Sequence, residues 1–157
     1  MPDADLERFH DGYRHDYDQT LTEVQAGRKR SHWMWFIFPQ VAGLRSSPTA
    51  AHYAIRSRAE AEAFLHDPIL GPGYRTLVDA VWQQVVERGV TIRDLFGRPD
   101  DHKLVSSLTL FAGVAAHLGA DWADTVTRAN EILDHAEAQG LPRCATTQHF
   151  LAADARP

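Results

Sequence analysis

Cysteine is nearly absent from this sequence: Cys144 stands alone among 157 residues. A single thiol excludes an internal disulfide framework and a zinc site built on cysteine pairs, and it suits a reducing compartment. None of the nine histidines has a second one at His-x-x-x-His spacing, so neither a metal nor a cofactor is expected. Long apolar runs are missing too. The richest, Trp33 to Phe38, holds six residues, against the ~18 that a membrane span requires. The acidic opening Met1-Pro2-Asp3-Ala4-Asp5 lacks the basic-then-apolar order of a signal peptide. The expectation is a cytoplasmic protein with no membrane partner. There is no P-loop and no nucleophile elbow. Gly71-Pro72-Gly73-Tyr74-Arg75-Thr76 lacks the third glycine and the preceding strand of a dinucleotide loop.

Acidic side chains are absent from one long stretch. Between Val24 and Ala59 there are six cations (Arg28, Lys29, Arg30, Arg45, Arg56 and Arg58) and no carboxylate, although the chain as a whole carries a net charge of −5. Trp33, Trp35, Phe36, Phe38 and Tyr53 lie in the same stretch. Cations beside flat apolar rings suit a ligand that joins a phosphate or carboxylate to a ring. The overall acidity argues against nucleic acid as the main partner, because that affinity rests on phosphate neutralisation.

What remains is helix. With 44% hydrophobic and 24% charged residues, the composition is that of a core-forming globular chain, and alternating strand patterns are weak throughout. Leu6, Phe9, Tyr13, Tyr17, Leu21 and Val24 form one helical stripe, closed at Gly27. Ser31 reads as the N-cap of a short apolar helix from His32 to Phe38, ended by Pro39, although a buried strand has the same pattern. Ser47-Pro48, Ser57 to Glu60, Asp67-Pro68 and Thr91 to Asp94 each read as a helix start. Pro99 opens a further helix, Asp121 caps another that runs to Ala136, and Thr147 caps a last short one. With no repeat and no Ser/Gly linker, the expectation is all-α: residues 1–157 as a single compact bundle of about six to eight helices.

Two constellations carry chemistry. The first is Gly27-Arg28-Lys29-Arg30-Ser31-His32-Trp33-Met34-Trp35. A helix starting near Ser31 would hold three cations at its positive end, an arrangement disfavoured by about 0.3–1 kcal/mol each. An anion on the free N–H groups would reverse that penalty; solvation, or pairing with the acidic first helix (Asp11, Asp16, Asp18 and Glu23), would relieve it as well. The second is Asp100-Asp101-His102-Lys103 followed by Ser106-Ser107. Asp100 and Asp101 suit a helix start through the macrodipole. On a helix Lys103 and Ser107 share a face, so they form either a polar pocket floor, with Asp101 as proton acceptor, or serines bonded to their own helix.

These two segments, together with Gly43-Leu44, Ser47, Tyr53, Glu60-Ala61, Leu65, Leu70-Gly71 and Leu95-Phe96-Gly97, resemble a bacterial family catalogued as domain-of-unknown-function family 1810, related to a mycobacterial protein of mainly helical fold. The resemblance covers about residues 5–118, with residues 119–157 divergent. It implies a compact helical bundle and no established activity. Its shared polar positions are Lys29, Ser31, His32, Trp33, Trp35, Gln40, Tyr53, Asp101, Lys103, Ser106 and Ser107. The calpastatin label sometimes given to relatives does not suit a repeat-free, core-forming chain.

Three functions follow as expectations. The first is a binding domain for a small anionic ring-containing ligand of nucleotide or nucleotide-sugar type, held by Arg28, Lys29, Arg30 and the shared polar residues. The second is a hydrolase of a glycosidic or phosphoester bond, in which Asp101 or His32 orients water and Arg28, Lys29 or Lys103 holds phosphate. The third is a partner-binding or structural domain. The first two require the segments 28–40 and 101–107 to line one hollow.

Overall fold

Apolar residues recurring every three or four positions dictate helices, and a computed structural model describing residues 5–154 contains nine of them. They are α1 (Glu7–Gln25), α2 (Met34–Ile37), α3 (Pro48–Tyr53), α4 (Arg58–His66), α5 (Leu70–Trp82), α6 (Ile92–Phe96), α7 (Asp100–Ala115), α8 (Ala123–Ala138) and α9 (Ala145–Asp154). A π-helical turn, Gln83–Glu87, continues α5, and a 3₁₀ turn, Ala120–Trp122, leads into α8. Among the described residues the sole β pairing is an isolated parallel bridge between Val41 and Ile55. The all-α expectation holds, with six helices of seven residues or more and three short ones.

Local chemistry sets most of the boundaries. The Ser47, Ser57 and Thr91 hydroxyls accept from the backbone N–H three residues on, at 3.1, 3.0 and 3.1 Å, so all three caps form. Asp67 Oδ1 accepts from the N–H groups of Ile69 and Leu70 at 2.9 and 3.0 Å, starting α5. Three starts differ from expectation. Ser31 caps nothing, and its helix shrinks to Met34–Ile37. Asp121 lies inside the 3₁₀ turn, which has no side-chain cap. Thr147 lies inside the first turn of α9, two residues after its start. At Ser31 the hydroxyl and N–H are both drawn to Glu23 instead.

The core lies where α1, α4, α5, α7 and α8 pack together. Phe9, Phe38, Phe64, Leu77, Leu104, Leu108 and Val114 are wholly buried, each such apolar side chain contributing roughly 1.5–3 kcal/mol. Phe38 meets Tyr74 and Phe96 edge-on at 5.5 and 5.9 Å between ring centres. Trp33, read as a ring for a ligand, is 0% exposed and belongs to this core. Helix α7 is buried on nearly every side, so its polar residues must be satisfied inside the protein. Among the described residues, no helix is long and apolar enough to cross a membrane.

Candidate functional site

Gly27, at φ +89°, ends α1 and turns the chain back toward α6, where Lys29 N donates to Leu95 O at 2.7 Å. This fold-back brings the basic turn over Glu23, in the last turn of α1. Glu23 Oε1 accepts from Arg30 N, Ser31 N and Trp33 Nε1 at 2.7, 3.0 and 3.0 Å. Its Oε2 accepts from Ser31 Oγ and Gln19 Nε2 at 2.6 and 3.1 Å. Burial pushes this carboxyl up, but the Ser31, Arg30 and Trp33 bonds outweigh it and hold the pKa at about 2. The anion expected at this turn is therefore the protein's own, supplied by the residue just before the acid-free stretch. Arg28, Arg30 and His32 remain exposed, and α2, at four residues, offers no anion site.

The two segments do converge, and a carboxylate again fills the junction. Asp100 Oδ2 pairs with Lys29 Nζ at 2.7 Å and Asp100 Oδ1 with Lys103 Nζ at 3.2 Å. Lys103 Nζ also stands 4.0 Å from the centre of the Trp35 ring, and Lys29 Nζ 5.0 Å from that of Trp33. The hydroxyls turn elsewhere. Ser107 Oγ lies 2.9 Å from the Tyr74 hydroxyl in the core, and Ser106 lies on the side of the Cys144 thiol, whose pKa it lowers. The shared hollow with a serine floor does not form: α7 is enclosed on that face, and its serines find partners within the core and the tail. Burial raises the Cys144 pKa, but the nearby Thr147 and Ser106 hydroxyls and the first turn of α9 lower it overall.

Asp101 points inward, as its place beside Leu104, Val105 and Leu108 suggests, and is 0% exposed. Its Oδ1 accepts from His102 N at 2.8 Å, and its Oδ2 meets no hydrogen-bond donor. Arg93 Nε and Arg98 Nε each approach Oδ2 to 4.0 Å.

A cavity of about 170 Å³ opens beside Trp35. Pro39 ends α2, and the chain then loops through Gly43 and α3. The Val41–Ile55 bridge pins the two ends of this loop: Ala42 N donates to Ile55 O, and Ile55 N to Gln40 O, both at 2.8 Å. Trp35, Gln40 and Tyr53 line the cavity together with Val41, small residues and two exposed arginines, Arg45 and Arg56. No acidic residue lines it. Arg45 makes no ion pair with the described residues, and Arg56 donates only to Ala51 O, at 3.3 Å, from its guanidinium. Gln40 is 6% exposed, and neither its Oε1 nor its Nε2 has a partner. Of the residues singled out from sequence, Trp35, Gln40 and Tyr53 gather here. Arg45 and Arg56 were counted in the basic stretch but not singled out. No described group of three or more His, Cys, Asp or Glu is placed to hold a metal.

The model of the family described as "Protein of unknown function (DUF1810)" matches residues 3–140. The match reaches beyond residue 118, so α8 is part of what relatives share and the divergent part begins later than the sequence suggested. The crystal structure of the conserved hypothetical protein Rv1873 from Mycobacterium tuberculosis superposes with a TM-score of 0.78. It is 38% identical, over 94% of this chain and 96% of that one. No curated protein matches the sequence.

Proposed function

The chain belongs to the DUF1810 family, and from its own residues we propose that it binds a small anionic ring-containing ligand, of nucleotide or nucleotide-sugar type, in the cavity beside Trp35. The observation that carries this reading is the wall itself: two aromatic side chains and an uncommitted amide, two arginines at the rim, and no carboxylate. Lys29 and Lys103 are neutralised by Asp100, whereas Arg45 has no such partner. The cavity has room for about one ring rather than a whole drug-sized molecule, so the ring enters beside Trp35 while the phosphate stays near Arg45 and Arg56. Stacking on an aromatic side chain contributes about 1–3 kcal/mol per base, and exposed arginines add a salt-sensitive attraction.

A larger groove of about 430 Å³ lies between α1 and α5, but it fits this ligand less well. It includes Asp18, its His10 is paired with Asp67 at 2.7 Å, and its Arg14 with Asp11 at 2.9 Å. Turnover is not part of the proposal. Asp101 does not line the cavity, and His32 is solvent-exposed and makes no ion pair among the described residues.

Titration with AMP, UMP, ADP-ribose and a UDP-sugar, read by tryptophan fluorescence and thermal shift, tests the reading. Trp35→Ala and the Arg45→Glu/Arg56→Glu pair are each expected to weaken a binding ligand tenfold or more. Binding that ignores both variants, or a panel that yields no binder, overturns it.

A further inference from the structure

Gln40 has no structural employment for its amide. Its backbone carbonyl holds the Ile55 N–H across the bridge, which fixes where the side chain starts. Beyond that point the amide is buried with both polar atoms unpartnered. Buried amides in folded proteins find partners almost without exception, and a leucine would fill similar space without leaving two polar atoms bare. Apart from the arginines at the rim, the only other side-chain polar groups of the wall are the indole N–H of Trp35 and the single hydroxyl of Tyr53, neither of which presents a donor and an acceptor side by side. The primary amide of Gln40 supplies one donor and one acceptor at fixed spacing. That is the pattern by which glutamine pairs with adenine N6 and N7, and it equally fits the N–H and C=O of a lactam edge.

We infer that Gln40 reads the ring edge of the ligand, and that the ring is a nucleobase-type heterocycle carrying a donor beside an acceptor. The inference rests on the cavity being a ligand site and adds the identity of the ring to that reading. Both amide atoms are closed off from water in the unliganded chain. Pairing therefore involves rotation about the broad terminal side-chain torsion to turn the amide toward the incoming ring, with the backbone bridge unchanged.

Two nucleotide pairs and one variant test this. AMP is compared with purine riboside monophosphate, which keeps the ring but lacks the exocyclic amine. UMP is compared with its N3-methyl derivative, which loses the donor. In the native chain at least one parent nucleotide should bind tenfold or more tighter than its edge-deleted partner. In Gln40→Leu that gap should close, while the melting temperature is equal to or above that of the native chain. Equal binding within both pairs, with Trp35→Ala still abolishing it, overturns the edge-reading role and leaves the cavity as a site. A Gln40→Leu chain that keeps the native discrimination overturns it too. Absence of nucleotide binding altogether overturns both readings.

Discussion

Glu23 accepts five hydrogen bonds, two from backbone N–H groups, two from its neighbours' side chains and one from a buried indole. Its carboxyl ordinarily titrates near 4.5 and is held at about 2 here. A carboxylate depressed on folding adds stability that is complete above its unfolded pKa and fades as pH falls through the folded value. The shift corresponds to about 3 kcal/mol. Glu23→Gln should lower the unfolding free energy by about that amount at pH 7, measured by urea denaturation. The gap to the native chain should narrow between pH 4.5 and pH 2, and a gap constant with pH would show that the charge is not what matters. Asp100 makes a second case. It separates two lysine side chains that are 7% and 11% exposed, so Asp100→Ala leaves like charges buried together. The expected loss is about 3–5 kcal/mol, larger than for Lys29→Met or Lys103→Met, and a double-mutant cycle measures the coupling. Glu23 was legible as one of four acidic residues of the first helix able to meet the basic run, but not as the acceptor of its backbone N–H groups. Asp100 was not legible as a partner, because it is already accounted for as a helix-start residue.

At the scale of elements, close approach depends on single glycines. A Cβ on Gly71 would sit 2.0 Å from the Leu65 carbonyl oxygen, where α4 hands over to α5. The obstacle is backbone and cannot swing aside, so Gly71→Ala should cost about 1–3 kcal/mol. At Gly12 the obstacle is the Phe36 ring, 2.1 Å from the added carbon. A half-buried ring can partly yield, so Gly12→Ala should cost less than Gly71→Ala in parallel thermal melts. The Gly71-Pro72-Gly73 run, which resembles the start of a dinucleotide loop, lies inside α5. Small residues there serve packing against α4 and against Tyr13 and Tyr17. The caps at Ser47, Ser57 and Thr91 were legible because donor and acceptor lie three residues apart. The apolar run at 33–38 was not, because six residues cannot reveal that Ser31 is drawn toward Glu23.

For the whole molecule, the tail after residue 140 lies outside the family match but not outside the structure. Leu151 of α9 reaches Gly113 on α7, where a Cβ would meet its methyl at 2.5 Å. Thr147 is wholly buried, as Leu141 nearly is. A chain ending at Gly140 should therefore lose about 2–4 kcal/mol, a fall of roughly 5–15 °C in melting temperature, while still unfolding in one transition. An unchanged melting temperature would mark α9 as an appendage.

The amino-acid order by itself determined the helices and most of their starts, the apolar stripes that became the core, and the concentration of cations and rings in one stretch. Those properties are fixed within a few residues, by periodicity and by side chains reaching their own backbone. Which of the cations remain free was decided only by tertiary structure. Glu23 and Asp100 meet their partners because Gly27 turns the chain back and α7 packs behind it. Charge neutralisation depends on distance in space, which sequence position does not encode, and so Lys29 and Lys103 are paired with Asp100 while Arg45 and Arg56 stand at a wall with no carboxylate.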